Sequence, residues 1–264
     1  FATDTWRWDL SFNAATLNSE VTDFPGDITT QLLGESRSGV QVIAEEGEPF
    51  GQIVGSQYKR NDDGQIVVDA NGIPKAAEER GVIGSYQPDW TGGLGTTLRW
   101  NNLRLQALVD IRQGGEIYSF SNVVAHQTGN HEATLRGRED GFVFDGVSED
   151  GSQNDVSVDP QTFWGDVAAP FGGGIDEEFV YDASYVRLRE VSITYDLPPG
   201  LMERTPVRGA QLRLTGENLF FFERHTDGFD PSAYARSGAS GVQGIEYASF
   251  PNTRSFGVNV NLTF

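Results

Sequence analysis

The chain holds only three imidazoles, His126, His131 and His225, and two of them stand five residues apart with Glu132 following. That spacing offers two nitrogens and a carboxylate to a metal, but the segment is polar and loop-like, and a solvated loop is the simpler expectation. Oxygen donors are offered by two acidic turns, Asn61-Asp-Asp-Gly64 and Asp69-Ala-Asn-Gly72, each resembling half of a calcium loop. Neither carries a Glu at the twelfth position, so tight turns account for them more simply. Weak calcium binding in that loop stays open, and no other cofactor or metal is expected. The absence of cysteine removes disulfides, thiolate metal sites and thiol nucleophiles together. There is no nucleophile elbow, phosphate loop or dinucleotide fingerprint, and Gly172-Gly-Gly174 lacks a following Lys-Ser. The expectation is a protein that is not an enzyme, with no catalytic residues.

What remains is charge and aromatic surface. Arg7, Asp9, Arg99, Arg104, Asp110, Arg112, Arg213 and Glu217 alternate with apolar neighbours and would share the polar face of strands, where they contact a substrate or an inserted domain. Phe163, Trp164 and Phe171 fall in a long connection, positioned to stack on sugar rings or to pack against a partner. A net charge of -19 argues against nucleic acid, whose phosphates would be repelled. Nearly all the basic charge is Arg, Lys59 and Lys75 being the two lysines.

The elements that must carry these groups are strands. Residues 254–264 alternate strictly, with Phe256, Val258, Val260, Leu262 and Phe264 on one face and Ser255, Gly257, Asn259, Asn261 and Thr263 on the other. The same period marks residues 5–16, 91–100, 102–112, 184–197 and 208–222, lengths near the ~9 to 11 residues a tilted strand needs to cross a bilayer. Val186 and Leu188 lie in the opposite parity to Val191 and Ile193, which predicts either a bulge near Arg189 or the end of the membrane-embedded portion. No run reaches the ~18 to 20 apolar residues of a membrane-spanning helix, and mean hydropathy is -0.39, which a barrel tolerates. Long connections at roughly residues 17–91, 113–181 and 223–253 alternate with short ones at Asn101-Asn102 and around Pro198-Pro-Gly200. In an up-and-down meander all the long loops then lie on one side, as in outer-membrane barrels.

Six strands are too few for a closed lipid-facing barrel, which needs ~8 at least. Either the loops hide further strands or the wall continues elsewhere; the second is expected, since the chain opens without Met or a leader and reads as a C-terminal piece. Two other readings fit the alternation: a small self-closing structural or adhesive barrel, and a soluble β-sandwich with binding loops.

Several segments, in order, resemble the SusC/RagA-type TonB-linked outer-membrane transporters of Bacteroidota. They are Thr5-Trp-Arg-Trp-Asp-Leu-Ser-Phe-Asn13, Gly47-Glu-Pro-Phe-Gly51, Pro88-Asp-Trp90, Arg112-Gln-Gly-Gly-Glu-Ile-Tyr118, Asp182-Ala-Ser-Tyr-Val-Arg-Leu-Arg189, Gly216-Glu-Asn-Leu-Phe220 and Gly228-Phe-Asp-Pro231. The resemblance implies an all-β antiparallel transmembrane barrel of 22 strands, of which these are the last six, filled by a plug that this sequence lacks. It also implies TonB-dependent import of a large nutrient, glycan or oligopeptide, across the bacterial outer membrane. The implied partners are a SusD-like surface lipoprotein, TonB through the plug region, lipopolysaccharide and lipid, and the barrel-assembly machinery, which would read Phe264 as its signal.

Overall fold

The computed structural model describes residues 2–3, 5–233 and 243–264. Six strands make one antiparallel meander: β1 (Trp6–Thr16), β2 (Trp90–Trp100), β3 (Leu103–Gln113), β4 (Tyr185–Asp196), β5 (Gly209–Arg224) and β6 (Ser255–Thr263). Each pairs with its sequence neighbour, and the expected bounds differ from these by two residues at most. Residues 101–102 and 197–208 make the short connections; residues 17–89, 114–184 and 225–254 make the long ones.

Register sorts the side chains. Trp8, Leu98, Leu105, Ile193, Leu214 and Val258 form one transverse row, and Trp6, Trp100, Leu103, Tyr195, Leu212 and Val260 the row beside it. These rows stay uncovered, with Phe12 64 %, Ile193 42 % and Phe256 79 % exposed, so among the described residues no second sheet packs on them, as a sandwich would require. Aromatics mark both ends of the apolar face: Trp6 stacked on Trp100 at 5.5 Å with Trp8 and Tyr195 near the hairpins, and Trp90, Phe12, Phe220 and Phe222 near the long loops. From Trp6 to Thr16 is about 33 Å of strand, which a barrel tilt of ~40° turns into about 25 Å of height. That is the thickness of an outer-membrane apolar band.

The bulge falls where parity placed it. Leu188 pairs with Val109 and Glu190 with Leu108, leaving Arg189 as the extra residue on β4. On the other side the pairing steps from Phe220 to Glu217, and Asn218 takes up the slack with a left-handed φ of 51°. Asn tolerates that region because its short amide can satisfy the local backbone.

The sheet does not close on itself: β1 and β6 are its two open edges. Strands hidden in the long loops do not complete it either, since they form separate sheets. Strands at Thr30–Glu35, Gln41–Glu45, Gln52–Tyr58 and Ala76–Ser85 make a four-stranded sheet within the first long loop. A smaller sheet joins Glu116–Ser119 and Val180–Asp182 of the second loop to Ile245–Glu246 of the third. Helix α1 (Phe120–Gln127) starts at Ser119, whose hydroxyl accepts from the Asn122 N–H; α2 (Pro160–Val167) starts at Asp159, which caps Thr162, with Pro160 in the first turn.

The buried core lies here and not in the wall. Val40, Val42, Ile53 and Tyr58 of the first loop, Tyr118, Phe163, Val167 and Phe179 of the second and Ile245 of the third pack into one cluster. The three loops therefore fold as a single dome. Polar ties reinforce it: Tyr58 Oη donates to Glu178 at 2.6 Å, the Ser56 hydroxyl and N–H both donate to Asp176 at 2.9 Å, and buried Glu246 accepts from the hydroxyls of Ser119 and Ser121. The chain passes from β3 into the dome through Gly114 and Gly115, both at positive φ. A Cβ on Gly115 would stand 2.8 Å from the carbonyl oxygens of Tyr86 and Gln87, so glycine is required there twice over.

Candidate functional site

The polar face of the wall carries the charges, arranged by height. The rung nearest the hairpins reads Arg7, Arg99, Arg104, Thr194, Arg213 and Asn259 across the six strands. Above it come Asp9, Thr97, Gln106, Ser192 and Thr215, then Ser11, Gly95, Leu108, Glu190 and Glu217. The register brings together Arg7 with Asp9 at 2.9 Å and Arg213 with Glu190 at 3.2 Å, both solvent-exposed pairs. Glu217 faces the same side and is exposed.

Near the dome a tighter cluster forms. Asp110 accepts from Arg189 at 2.6 Å and from Arg187 at 3.2 Å, and Arg187 also donates to Ser232 Oγ at 2.9 Å in the third loop. The Arg187 guanidinium lies against the Tyr185 and Phe221 rings and is almost wholly buried. Neither Arg187 nor Arg189 stood among the expected site residues. The parity slip at Arg189 was the signal that could have found Arg187, because a bulge there puts it on the Asp110 side. Arg112 reaches upward and donates to the Tyr86 carbonyl, so it ties wall to dome more than it addresses the space between.

The loop aromatics part company. Phe163 is 3 % and Trp164 8 % exposed, both in the dome core, which corrects their expected role as a stacking surface. Helix α2 turns them inward because its apolar residues fall on one side. Phe171, on the glycine stretch beyond α2, keeps 77 % exposure and remains available to a partner.

His126 and His131 are also not solvated, whereas His225 is exposed. His126 and His131 stack at 3.9 Å, His126 lies 4.4 Å from the Trp164 ring, and its Nδ1 bonds the Asn122 carbonyl at 2.8 Å. Burial holds the His126 pKa below its ordinary value. His131 Nδ1 accepts from the Ala133 N–H while its Nε2 lies 3.3 Å from Asp227, which fixes the tautomer and links the second loop to the third. His225 pairs with Glu223 at 2.9 Å. Among the described residues no three His, Asp or Glu side chains converge as a metal site. The acidic turns use their own oxygens: Asn61 Oδ1 accepts from the N–H of Asp63 and Gln65, and Asp69 Oδ1 from those of Asn71 and Ile73. These oxygens hold the two turns shut.

No family model matches the chain. TonB-dependent receptor P3 of Formosa agariphila is 25 % identical over 286 residues, a match covering 98 % of this chain and 27 % of that protein. TonB-dependent receptor P26 of the same organism is 25 % identical over 288 residues, covering 99 % and 28 %. In fold, the chain superposes on the RagAB peptide transporter with a TM-score of 0.68 at 21 % identity, all of this chain on 28 % of that one. These matches make the chain similar to part of a SusC/RagA-type TonB-dependent receptor. It spans just over a quarter of the length of these relatives. The RagAB peptide importer in its open-open state superposes almost as well, with a TM-score of 0.67 at 18 % identity.

Proposed function

We propose that this chain supplies the last six strands, and the dome above them, of a 22-stranded outer-membrane barrel that imports a large nutrient, a glycan or an oligopeptide, in a TonB-dependent manner. The observation that carries the reading is the inversion of apolar surface: rows of Trp, Leu, Ile and Phe lie uncovered on the wall, while the apolar residues of the loops are sealed inside the dome. A soluble protein would leave that wall wet. A bilayer covers it.

The remaining wall strands close the sheet between the β1 and β6 edges, since an open ladder in hydrocarbon leaves backbone groups unpaired at several kcal/mol each. A plug fills the lumen and transmits the pull of TonB. A SusD-like lipoprotein sits on the dome, where exposed Phe171 and Phe250 offer apolar contact. Lipopolysaccharide surrounds the upper girdle, and the assembly machinery reads the terminal strand ending in Phe264. The chain itself forms and breaks no covalent bond.

The test is genetic and biochemical. A strain lacking the gene is grown on single glycans or oligopeptides as sole carbon source, beside a strain lacking TonB. Loss of growth on one class in both strains names the substrate. Unchanged growth on every nutrient would falsify the import reading, and a full-length receptor that captures no surface lipoprotein removes that partner.

A further inference from the structure

Between the end of α1, the turn Glu132–Leu135 and the start of α2 the dome opens into a hollow of about 420 Å³. Small-molecule sites begin at roughly 300 Å³. Buried His126, Thr134, Pro160 and Trp164 border it within, and exposed Gln127, Thr128, Arg138 and Gln161 border it at the surface. His126 matters most, because it is 5 % exposed and one of its ring nitrogens is unspent. Its Nδ1 lies 2.8 Å from the Asn122 carbonyl, which can only accept, so Nδ1 carries the hydrogen. The neutral ring then presents Nε2 as a lone pair, on the side away from its own helix. Among the described residues nothing donates to it. Buried acceptors are nearly always satisfied, and burial keeps this ring neutral, so the hollow calls for an O–H or N–H.

We infer that this hollow is a binding site for one residue of a neutral sugar. Gln127 and Gln161 stand on different helices, and their side-chain amides have no partner among the described residues, so each offers donors and an acceptor to an occupant. Arg138 spends Nε on the Thr134 carbonyl and Nη2 on the Gly129 carbonyl, which leaves Nη1. Asp159 lines the same hollow and offsets that charge. An anion would meet Asp159, and a cation Arg138. An extended peptide adds to a free strand edge, and two helices and a turn present none. A hydroxylated ring meets every condition: its O–H groups donate to Nε2 and the amide oxygens and accept from the amide N–H groups and Nη1, while its C–H face lies on Pro160 and Trp164. The site needs neither the lumen nor TonB, so it stands or falls apart from the import reading.

The experiment uses the full-length receptor in a detergent without a sugar headgroup. Saturation-transfer NMR and calorimetry are run with the methyl α-glycosides of glucose, galactose and mannose, and with glucuronate and glucosamine as charged counterparts. At least one neutral glycoside should bind, and more tightly than either charged sugar. Gln127→Ala/Gln161→Ala changes two exposed side chains and should leave the circular dichroism unchanged while weakening that glycoside about tenfold, the loss of roughly two hydrogen bonds. His126→Phe removes the buried acceptor and should weaken it at least as much; if that variant does not fold, the rim pair decides. Absence of binding by all three neutral glycosides overturns the proposal, as does equal binding by the folded rim variant or tighter binding of a charged sugar. A receptor that binds the glycoside through these residues, while its deletion strain grows unchanged on every nutrient, keeps this site and loses only the import reading.

Discussion

In the wall, Ile193 and Phe256 point away from the protein and stay uncovered; in the dome, Ile53 and Phe179 point inward and are sealed. Both regions are built from strands, yet they bury apolar surface in opposite directions. The difference teaches that the medium outside each region sets the sign of the pattern. On the proposed reading lipid accepts the wall's Leu, Trp and Phe rows, while the dome must hide its own from water. The dome therefore carries an ordinary packed core, and the wall is held by its ladders and by the solvent around it.

Four substitutions or conditions break or sharpen that contrast, the largest first. Phe179→Ala opens a cavity in the shared dome core and should cost about 3–5 kcal/mol of dome stability. Hydrogen exchange in the dome strands should rise steeply while the wall ladders stay protected; equal loss in both regions would mean they fold as one unit. Ile193→Arg places a charge on the apolar face of a central wall strand, for about 2–4 kcal/mol near the bilayer midplane. Assembly into outer-membrane vesicles should fall, whereas Thr194→Arg, one residue on and facing the lumen, should assemble; the reverse order would turn the wall inside out.

Acidification comes next. The folded dome holds the His126 pKa below the value of the unfolded chain, so the unfolded state binds more protons in the window below about pH 6.5. Dome stability is then complete above that value and declines as pH falls toward the folded pKa, by at most ~1.4 kcal/mol per pH unit. Protection factors in α1 and α2, corrected for the intrinsic pH dependence of exchange, should fall from pH 7 to pH 5, and His126→Gln should flatten the slope. A wall that quickened in parallel would sink this reading. Smallest of all, Phe171→Ala should change dome stability by no more than ~0.5 kcal/mol, because the ring is exposed. Its effect should appear only in capture of the surface partner.

The wall was legible because period two is a short-range signal: Phe256 to Phe264 show their face in nine residues, and Val186 against Val191 shows the bulge. That Arg7, Asp9, Arg104 and Arg213 share the polar face of the sheet followed from the same parity. The dome was not legible in that way. Its core joins Val42, Phe179 and Ile245, residues separated by 137 and 66 positions, and nothing local announces that three loops will share them. That is why His126, Phe163 and Trp164 read as loop surface. Their burial depends on partners in other loops, as the His131 contact with Asp227 illustrates.

The passage through Gly114 and Gly115 has a mechanical consequence. Gly114 N–H donates to Ser184 Oγ at 2.8 Å, and Ala183 N–H to the Gly115 carbonyl at 2.8 Å, so the strands leaving and re-entering the wall are clamped to each other at the rim. A tug on the dome along its axis is delivered to β3 and β4 as shear, with the load shared along the ladder. It is not delivered as a peel that parts one bond at a time. The rim can thus act as a stiff anchor for whatever pulls on the dome.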